Sequence, residues 1–269
     1  MSYNHSRMSD SLFSVAGQIV LVSGASRGIG RGLAEGFAQR GATVVITGRD
    51  KANLEQTAKE ICPKGGTVRG VVCDVSDSKA IDQLVSTVYG EFGRVDTLVN
   101  VAGVNRRMKA ERLTEGDYDF IVDINLKGPA LLSLAVGRKQ LERKKGNQIN
   151  ITSLNNDRPL RGVMPYAVSK AGLEQMTRAL ALEWGPSGIR VNAIAPGFIL
   201  TDLTSKLWSL KEMQDWGMSN TPLRRMGLPE DLVGAAVFLA SEASAFMTGQ
   251  TIYVDGGFSC GSAWPIPLE

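Results

Sequence analysis

Tyr166 and Lys170 are four residues apart in a segment with helical spacing, so their side chains share one face of the predicted helix. Ser153 comes thirteen residues before Tyr166, at the end of a predicted strand. A phenol beside an ammonium can exchange a proton near neutral pH, because the positive charge favours the phenolate. A serine hydroxyl nearby can hold a substrate oxygen in line with the phenol. The three residues therefore predict proton transfer to or from an oxygen of a bound molecule, with Tyr166 as acid and base.

Composition excludes several other chemistries. The single histidine, His5, lies in a polar N-terminal segment, which argues against a histidine general base, a serine–histidine triad and a histidine zinc site. Cys62, Cys73 and Cys260 are widely separated and form no CxxC pair, so we expect no structural disulfide, no bound metal and a reducing compartment. The net charge of +3, from 30 basic and 27 acidic residues, is too small to predict a nucleic-acid or membrane partner.

A glycine-rich segment follows the first predicted strand and opens the first predicted helix. Glycines permit a tight turn and a close approach of backbone N–H groups to a pyrophosphate, and the helix N-terminus adds partial positive charge. Three glycines in eight residues are weak by themselves, but their position between a strand and a helix predicts a dinucleotide site. The loop residues expected to contact the dinucleotide are Gly24, Ser26, Arg27, Gly28, Ile29 and Gly30.

Short β-branched segments alternate with longer segments of helical spacing, which predicts a parallel sheet wrapped by helices. The predicted strands are 18–23, 43–47, 67–73, 97–101, 148–152, 189–194 and 250–254. The predicted helices are 29–40, 51–61, 78–92, 115–143, 166–184 and 229–241. We predict an α/β fold: a single doubly wound (Rossmann) domain over 13–269, with a seven-stranded parallel sheet and helices on both faces. The sequence contains no run of 18 apolar residues, so we predict no transmembrane span.

The first twelve residues are polar and lack the apolar core of a signal peptide. We therefore expect a flexible tail over 1–12 and a cytoplasmic protein.

The GxxxGxG form of the glycine loop, together with the order of Asn125, Ser153, Tyr166 and Lys170, resembles the short-chain dehydrogenase/reductase family. The resemblance extends over 17–257 and implies hydride transfer between a nicotinamide cofactor and a carbon bearing oxygen. It implies that Lys170 binds the nicotinamide ribose and lowers the pKa of the Tyr166 phenol. It also implies that Asn125 fixes a water that links Lys170 to solvent.

The same resemblance assigns cofactor contacts at the ends of several strands. The family's aspartate at the position of Asp74 holds the adenine amino group; the alternative here is a helix-capping aspartate. The segment 100–103 is similar to the family's Asn-Asn-Ala-Gly but has Val101 as its second residue, so only backbone contacts are expected from that position. The segment 196–201 resembles the one that receives the nicotinamide carboxamide, or is a bare Pro-Gly turn. The contacts implied in this way are Asp74, Val75, Asn100, Ala102, Gly103, Tyr166, Lys170, Pro196, Gly197, Ile199 and Thr201.

Charge at the end of the second strand favours one nicotinamide cofactor over the other. No acid stands where an NAD site usually binds the ribose 2′-hydroxyl. Arg49 follows this strand and Arg27 lies within the glycine loop, so two guanidinium groups could flank a 2′-phosphate. Asp50 precedes a helical segment and is expected to cap it. We therefore predict NADP(H), with NAD as the alternative and two solvated surface arginines as the bland interpretation.

The segment 198–228 interrupts the alternation and is predicted to form a small helical lid over the ligand, or alternatively an insertion packed on the sheet. Asn105, Arg106, Arg107 and the polar loop 154–161 suit a polyhydroxylated substrate that bears a carboxylate. The run 104–107 and the tryptophan-containing lid followed by 221–225 resemble the sugar-acid members of the family, such as gluconate 5-dehydrogenases. The alternative is that the arginines form surface ion pairs with Glu111, Asp157 and Glu230.

Two other functions stay open at this point. A 3-oxoacyl-thioester reductase would use Lys144, Lys145 and Arg107 to meet an acidic carrier protein, although 185–188 lacks the cation expected for such docking. A nucleotide-sensing protein without chemistry is the alternative of another class, and the complete tetrad argues against it.

The family resemblance also implies a homotetramer formed through the helices 115–143 and 166–184. The tail over 258–269 is expected to cover a neighbouring subunit. The apolar residues of the second helix that suggest this interface are Leu173, Met176, Leu180 and Trp184.

Overall fold

Seven strands form one parallel sheet in the computed structural model, which describes residues 11–262. The strands are β1 (Ile19–Val22), β2 (Thr43–Gly48), β3 (Thr67–Val72), β4 (Thr97–Asn100), β5 (Gly146–Ile151), β6 (Ile189–Pro196) and β7 (Thr251–Val254). Their order is β3-β2-β1-β4-β5-β6-β7, and every neighbouring pair is parallel. The predicted seven-stranded parallel sheet is confirmed.

Helices cover both faces of the sheet. They are α1 (Gly28–Ala38), α2 (Lys51–Ile61), α3 (Ser78–Phe92), α4 (Glu115–Val122), α5 (Gly128–Arg143), α6 (Met164–Trp184), α7 (Ser205–Trp208), α8 (Lys211–Asn220) and α9 (Val233–Ala240). Val20 and Val22 pack on one face with Leu33 of α1, whereas Leu21 packs on the other face with Leu84 of α3. Side chains alternate along a strand, so an unbroken apolar run is needed to bury both faces.

The predicted helix over 115–143 is interrupted. A π-helical turn, Asp123–Lys127, separates α4 from α5. The buried Asn125 side chain in this turn exchanges two hydrogen bonds of 2.8 Å with the backbone of Val104, which belongs to a distant loop. The segment is long and apolar enough to cross a membrane, but more than half of its apolar stretch is buried and Leu132 lies in the core against the sheet. Its apolarity is that of a core helix.

The predicted lid over 198–228 is helical and contains α7 and α8. An aromatic cluster attaches it to the chain leaving β6. The Phe198 ring lies 5.1 Å from Trp208, 5.6 Å from Trp216 and 4.8 Å from Phe258, measured between ring centroids. Phe258 begins the predicted C-terminal tail, so the start of that tail packs within its own chain and forms a 3-10 turn.

The two predicted terminal tails lie largely outside the described residues. Of the tail over 1–12, only Ser11 and Leu12 are described, and they belong to a 3-10 turn, Ser11–Phe13. The C-terminal residues 263–269 also fall outside.

Within the sheet, the chain reverses its direction of winding between β1 and β4. Ligands of such folds bind at this point, beyond the carboxyl ends of the strands.

Candidate active site

A cleft of about 290 Å³ lies at the carboxyl ends of the strands, beside the reversal between β1 and β4. The glycine loop, the ends of β2 to β6 and the base of the lid surround it. Nearly all of the predicted site residues line this one cleft: Gly24, Ser26, Arg27, Gly28, Ile29, Gly30, Arg49, Asp74, Val75, Ala102, Gly103, Ser153, Tyr166, Lys170, Pro196, Gly197, Ile199 and Thr201. Two predicted residues, Asn100 and Asn125, do not line it.

The Asn100 side chain points away from the cleft, so a cofactor contact from it stays a prediction for the backbone. Its Nδ2 donates hydrogen bonds of 2.9 Å to Ser133 Oγ and to Asn150 Oδ1, and the residue is 1% exposed. The pleat of β4 turns this side chain to the sheet face that α5 covers, and not toward the cleft. Asn100 therefore ties β4 to β5 and to α5.

Asn125 lies beneath the cleft instead of lining it. Its Nδ2 donates to Val104 O and, at 3.2 Å, to Ser169 Oγ. A β-carbon placed on Gly103 would lie 3.5 Å from Asn125 Oδ1 and 3.6 Å from Lys170 Nζ, so the two side chains approach Gly103 from the same side. Asn125 thus fixes the loop after β4 against α6 and is a positioning residue in the described chain.

The glycine loop requires glycine for steric reasons. Gly24 has a φ of +64°, and a β-carbon there would lie 2.6 Å from Ala102 Cα. A β-carbon on Gly30 would overlap the carbonyl oxygen of Gly24. The Thr57 hydroxyl of α2 donates to Ser26 O at 3.0 Å and holds the loop from below. These contacts keep the loop backbone close to the cleft.

The first turn of α1 is open to an anion. Arg27 occupies its N-cap position and makes no side-chain cap hydrogen bond, so the first N–H groups of the helix have no side-chain acceptor. Such a helix N-terminus attracts phosphate through its N–H groups and its dipole. The loop and helix therefore fit the pyrophosphate of a dinucleotide.

Positive charge lies at the end of the cleft formed by the glycine loop and the end of β2. Arg27 and Arg49 both line it, both are exposed, and neither is paired with a carboxylate among residues 11–262. Asp50 accepts a hydrogen bond from the backbone N–H of Asn53 at 3.0 Å, so it caps α2 as predicted. Asp74 accepts from Ser76 N and Ser76 Oγ in a turn while also lining the cleft. These features fit a cofactor with a 2′-phosphate.

Tyr166 and Lys170 project from the first turns of α6 into the cleft. Lys170 Nζ donates a hydrogen bond of 2.8 Å to Ile151 O and lies 5.8 Å from the centroid of the Tyr166 ring. Burial lowers the pKa of Lys170 to about 8. Burial raises the pKa of Tyr166, and hydrogen bonding with Ser153 and the charge of Arg107 oppose that rise. Because the Lys170 ammonium is directed to Ile151 and to the ring face, lowering of the Tyr166 pKa by Lys170 together with the nicotinamide ring stays a prediction.

Residues that the sequence did not single out complete the cleft. They are Gly48, Cys73, Val104, Ile124, Ile151, Thr152, Asp202, Leu203 and Thr204, and Val101, from which backbone contacts are expected, lines the cleft as well. Most adjoin a predicted site residue at a strand end, which is the signal that could have found them. Burial raises the pKa of Cys73 to about 11, so its thiol stays neutral. A β-carbon on Gly28 would lie 3.4 Å from Thr201 Cβ, so the base of the lid touches the glycine loop.

The polar side chains expected to bind substrate divide into two groups. Arg106 is held by Asp117 Oδ1 at 2.6 Å and lies 4.0 Å over the Phe120 ring, so it forms a surface pair, though not with Glu111. Arg107 is exposed, acts on the Tyr166 phenol through its charge, and has no carboxylate partner among residues 11–262.

Like Arg107, the other predicted substrate contacts Asn105, Asn155 and Asn156 do not line the cleft. Asn105 Oδ1 is buried without a hydrogen-bond partner in the described chain. The Asn155 amide bonds within its own loop, whereas the Asn156 amide accepts from Ser153 N and donates to Glu174 and to the Tyr253 hydroxyl. Arg158 lies 4.0 Å from Asp157, the surface pairing that was the alternative. Sequence spacing placed these side chains near the site but could not show which way they point.

Comparison with known proteins agrees with this geometry. The family model described as enoyl-(acyl carrier protein) reductase matches residues 24–259. The chain belongs to the short-chain dehydrogenase/reductase family, whose members interconvert alcohol and keto groups. Gluconate 5-dehydrogenase of Gluconobacter oxydans is 38% identical to it, over 92% of this chain and 97% of the relative.

Two further relatives show how broad the likeness is. The 3-oxoacyl-(acyl-carrier-protein) reductase of Thermotoga maritima is also 38% identical, over 90% of this chain and 97% of the relative. The solved structure of a gluconate 5-dehydrogenase from Burkholderia cenocepacia, in complex with NADP and tartrate, has a TM-score of 0.90 and 33% identity. It covers 93% of this chain and 98% of its own.

Proposed function

We propose that the protein is an NADP(H)-dependent oxidoreductase that interconverts a ketone and a secondary alcohol, with a sugar acid or another small polar ketone as substrate. The observation that carries this proposal is that Ser153, Tyr166 and Lys170 share one cleft with the glycine loop. A proton donor, an oxygen-binding hydroxyl and a dinucleotide cradle are therefore within one site.

The cofactor would be held by groups already described. The glycine loop and the N-terminus of α1 would hold the pyrophosphate, Arg27 and Arg49 a 2′-phosphate, and Asp74 with Val75 the adenine side. Lys170 and the segment 196–201 would meet the nicotinamide end. When bound, NADP(H) supplies or accepts the hydride. The Burkholderia cenocepacia structure with NADP supports this choice of nucleotide.

Proton transfer falls to Tyr166. Its raised pKa keeps the phenol protonated at neutral pH, so Tyr166 is set to give a proton to the oxygen of a ketone. Ser153 lies beside it and holds that oxygen. In the direction of oxidation, phenolate is required, and the charge of Arg107 favours it. The protonated phenol is therefore the form that serves ketone reduction.

Arg107 is the residue we assign to a substrate carboxylate. A guanidinium binds carboxylate with two parallel hydrogen bonds, and Arg107 has no such partner among the described residues. It lies close enough to Tyr166 to lower the pKa of the phenol. The relatives named for gluconate and the neighbour solved with tartrate support a hydroxylated acid as substrate.

Reduction of a 3-oxoacyl thioester is the second candidate function. The match to an enoyl-(acyl carrier protein) reductase model and the Thermotoga maritima relative favour it. The expected docking cations Lys144 and Lys145 precede β5, so they lie at the amino end of the strand, whereas the cleft lies at the carboxyl ends. A six-residue strand spans about 20 Å, which separates these lysines from the site. Only Arg107 of the three predicted cations lies near the cleft.

A substrate panel tests the proposal. Oxidation of NADPH and NADH is followed with 5-keto-gluconate, acetoacetyl thioesters and uncharged cyclic ketones. We expect turnover of the keto acid with NADPH. Preference for the thioester would establish the second candidate, and nucleotide binding without turnover of any ketone would indicate a sensing protein.

We also propose a cytoplasmic homotetramer, as the family resemblance implies. The residues expected to form its interface need correction, because Leu173, Leu180 and Trp184 are buried within the chain. The large exposed apolar residues of α5 and α6 are Leu134 of α5, and Met164, Val168 and Leu182 of α6. Light scattering at micromolar concentration should give a mass four times that of the chain; a monomer would overturn this proposal.

A further inference from the structure

The Ser153 hydroxyl oxygen accepts two hydrogen bonds from a single residue. The backbone N–H of Asn155 donates to Ser153 Oγ at 3.1 Å, and Asn155 Nδ2 donates to it at 3.2 Å. Both residues are buried. A serine oxygen has two acceptor positions and one hydrogen to donate. Because Asn155 occupies both acceptor positions, Ser153 is left with its hydrogen available to another group.

A third contact fixes the orientation of the Asn155 amide. The backbone N–H of Leu160 donates to Asn155 Oδ1 at 2.9 Å. A backbone N–H can only donate, so the amide oxygen must face Leu160 and the amide nitrogen must face Ser153. Rotation of the amide by 180° would place two donors against each other at Leu160. The two N–H groups therefore point at Ser153 in the only arrangement that satisfies both ends.

The neighbouring asparagine holds the serine backbone in the same manner. Ser153 N–H donates to Asn156 Oδ1 at 3.3 Å. Asn156 Nδ2 donates to the buried Glu174 carboxylate, and to the Tyr253 hydroxyl at 3.2 Å. Glu174 lies on α6, the helix that also carries Tyr166. The loop that presents Ser153 is thereby attached to the helix that presents the phenol.

We propose that Asn155 is a positioning residue that fixes Ser153 as a hydrogen-bond donor to the reacting oxygen. This inference rests on the proposed function and deepens it. A fixed donor strengthens its bond as negative charge develops on a ketone oxygen, so it favours the transition state over the ground state. When no substrate oxygen takes this hydrogen, it is available to the Tyr166 phenolate instead.

The discriminating variant is Asn155→Asp. Its carboxylate still accepts from Leu160 N–H, so the loop keeps its acceptor, but it has no hydrogen to give to Ser153. The serine hydrogen is then drawn to the carboxylate and away from the reacting oxygen. We expect kcat with the best ketone of the panel to fall by about 10²- to 10³-fold, the usual effect of losing one oxyanion donor, with the KM for NADPH unchanged.

A double-mutant cycle with Ser153→Ala separates this role from a structural one. If Asn155 acts through Ser153, Asn155→Asp lowers kcat by less than about 3-fold once the serine is replaced. Equal losses in both backgrounds would overturn the proposal. Asn155→Ala is the companion variant, which keeps the backbone donor and removes only the side chain; we expect a smaller loss than for Asn155→Asp. If the Asp variant does not fold, this variant in the same cycle decides the matter.

A second readout does not depend on turnover. The ultraviolet titration of Tyr166 is isolated by subtracting that of Tyr166→Phe from each protein. Asn155→Asp should raise the pKa of Tyr166 more in the Ser153 background than in the Ser153→Ala background, because only the former loses a donor as well as gaining a charge. Equal rises would refute the donor assignment. If the wild type turned over no ketone, the proposed function would fail while this titration still tested Asn155.

Discussion

Lys170 Nζ donates a hydrogen bond of 2.8 Å to the carbonyl oxygen of Ile151, the last residue of β5. The bond joins the helix that carries Tyr166 to the sheet two residues before Ser153. The Lys170 side chain is thereby buried at 3% exposure, and Ile151 O is the acceptor of its hydrogen bond within residues 11–262. This arrangement has a cost in stability that depends on pH.

We predict that Lys170→Met stabilises the nucleotide-free protein at pH 7. The pKa of Lys170 is about 8 in the folded chain and 10.5 ordinarily, so the unfolded state binds more protons between these values and stability rises with pH across that window. The penalty below pH 8 is about 3 kcal/mol, and the variant also loses the hydrogen bond to Ile151, which is worth about 1 kcal/mol. We expect the variant to gain about 2 kcal/mol at pH 7 and progressively less toward pH 10.

Urea unfolding at pH 7 and pH 10 measures this difference. Lys64→Met, which changes an exposed lysine, is the control and should show little change at either pH. A Lys170→Met protein destabilised equally at both pH values would contradict the assignment.

The nucleotide preference should depend on Arg49. Replacing it by aspartate removes one charge-assisted bond to a 2′-phosphate and adds a carboxylate that repels it, so NADPH affinity should fall by about 10- to 100-fold or more. NADH affinity should hold or improve. Titration of both nucleotides by fluorescence gives the two dissociation constants. Arg31→Gln is the matched control, because Arg31 lies on α1 one turn after Arg27 and is paired with Glu60. Tighter binding of NADH than NADPH by the wild type would defeat this prediction.

Substrate charge should be recognised by Arg107. We expect Arg107→Met to raise the KM for a keto acid by about 10- to 100-fold, because a bidentate charge-assisted contact is lost, and to leave the KM for an uncharged ketone nearly unchanged. Its neighbour Arg106, held by Asp117 and Phe120, provides a matched variant, Arg106→Met, that should leave both constants close to those of the wild type. Equal effects of the two variants would show that Arg107 has no special role.

The same variant has a pH signature. Arg107 lowers the pKa of Tyr166, so its removal should raise that pKa further. In the direction of alcohol oxidation, which needs phenolate, the alkaline rise in kcat/KM should move to higher pH in Arg107→Met. A profile unchanged or moved to lower pH would contradict the electrostatic contact.

The strands and the glycine loop could be predicted from the local sequence. Apolar runs such as β1 are buried on both faces, and that pattern is visible in the chain itself. The π-helical turn was missed because it depends on Asn125 bonding Val104, two residues brought together only by the fold. The direction of Asn100 and Asn155 was missed for the same reason, since a side chain at a strand end or in a loop has no periodicity to indicate its face.

The chemistry of the site could also be predicted only in part. The family motif located Tyr166, Ser153 and Lys170, all of which line one cleft. It did not foresee that Lys170 would be directed to Ile151, because burial and a backbone acceptor are properties of the assembled site. Arg106 and Arg107 are adjacent in sequence, and only the fold shows that one of them is paired.

Turnover by Tyr166→Phe tests the central claim most directly. The variant removes the proton donor and keeps the ring, so NADPH affinity and thermal stability should match those of the wild type. We predict that kcat for the best ketone of the panel falls by about 10²- to 10⁴-fold. A variant that binds NADPH normally and retains most of the wild-type kcat would contradict the account.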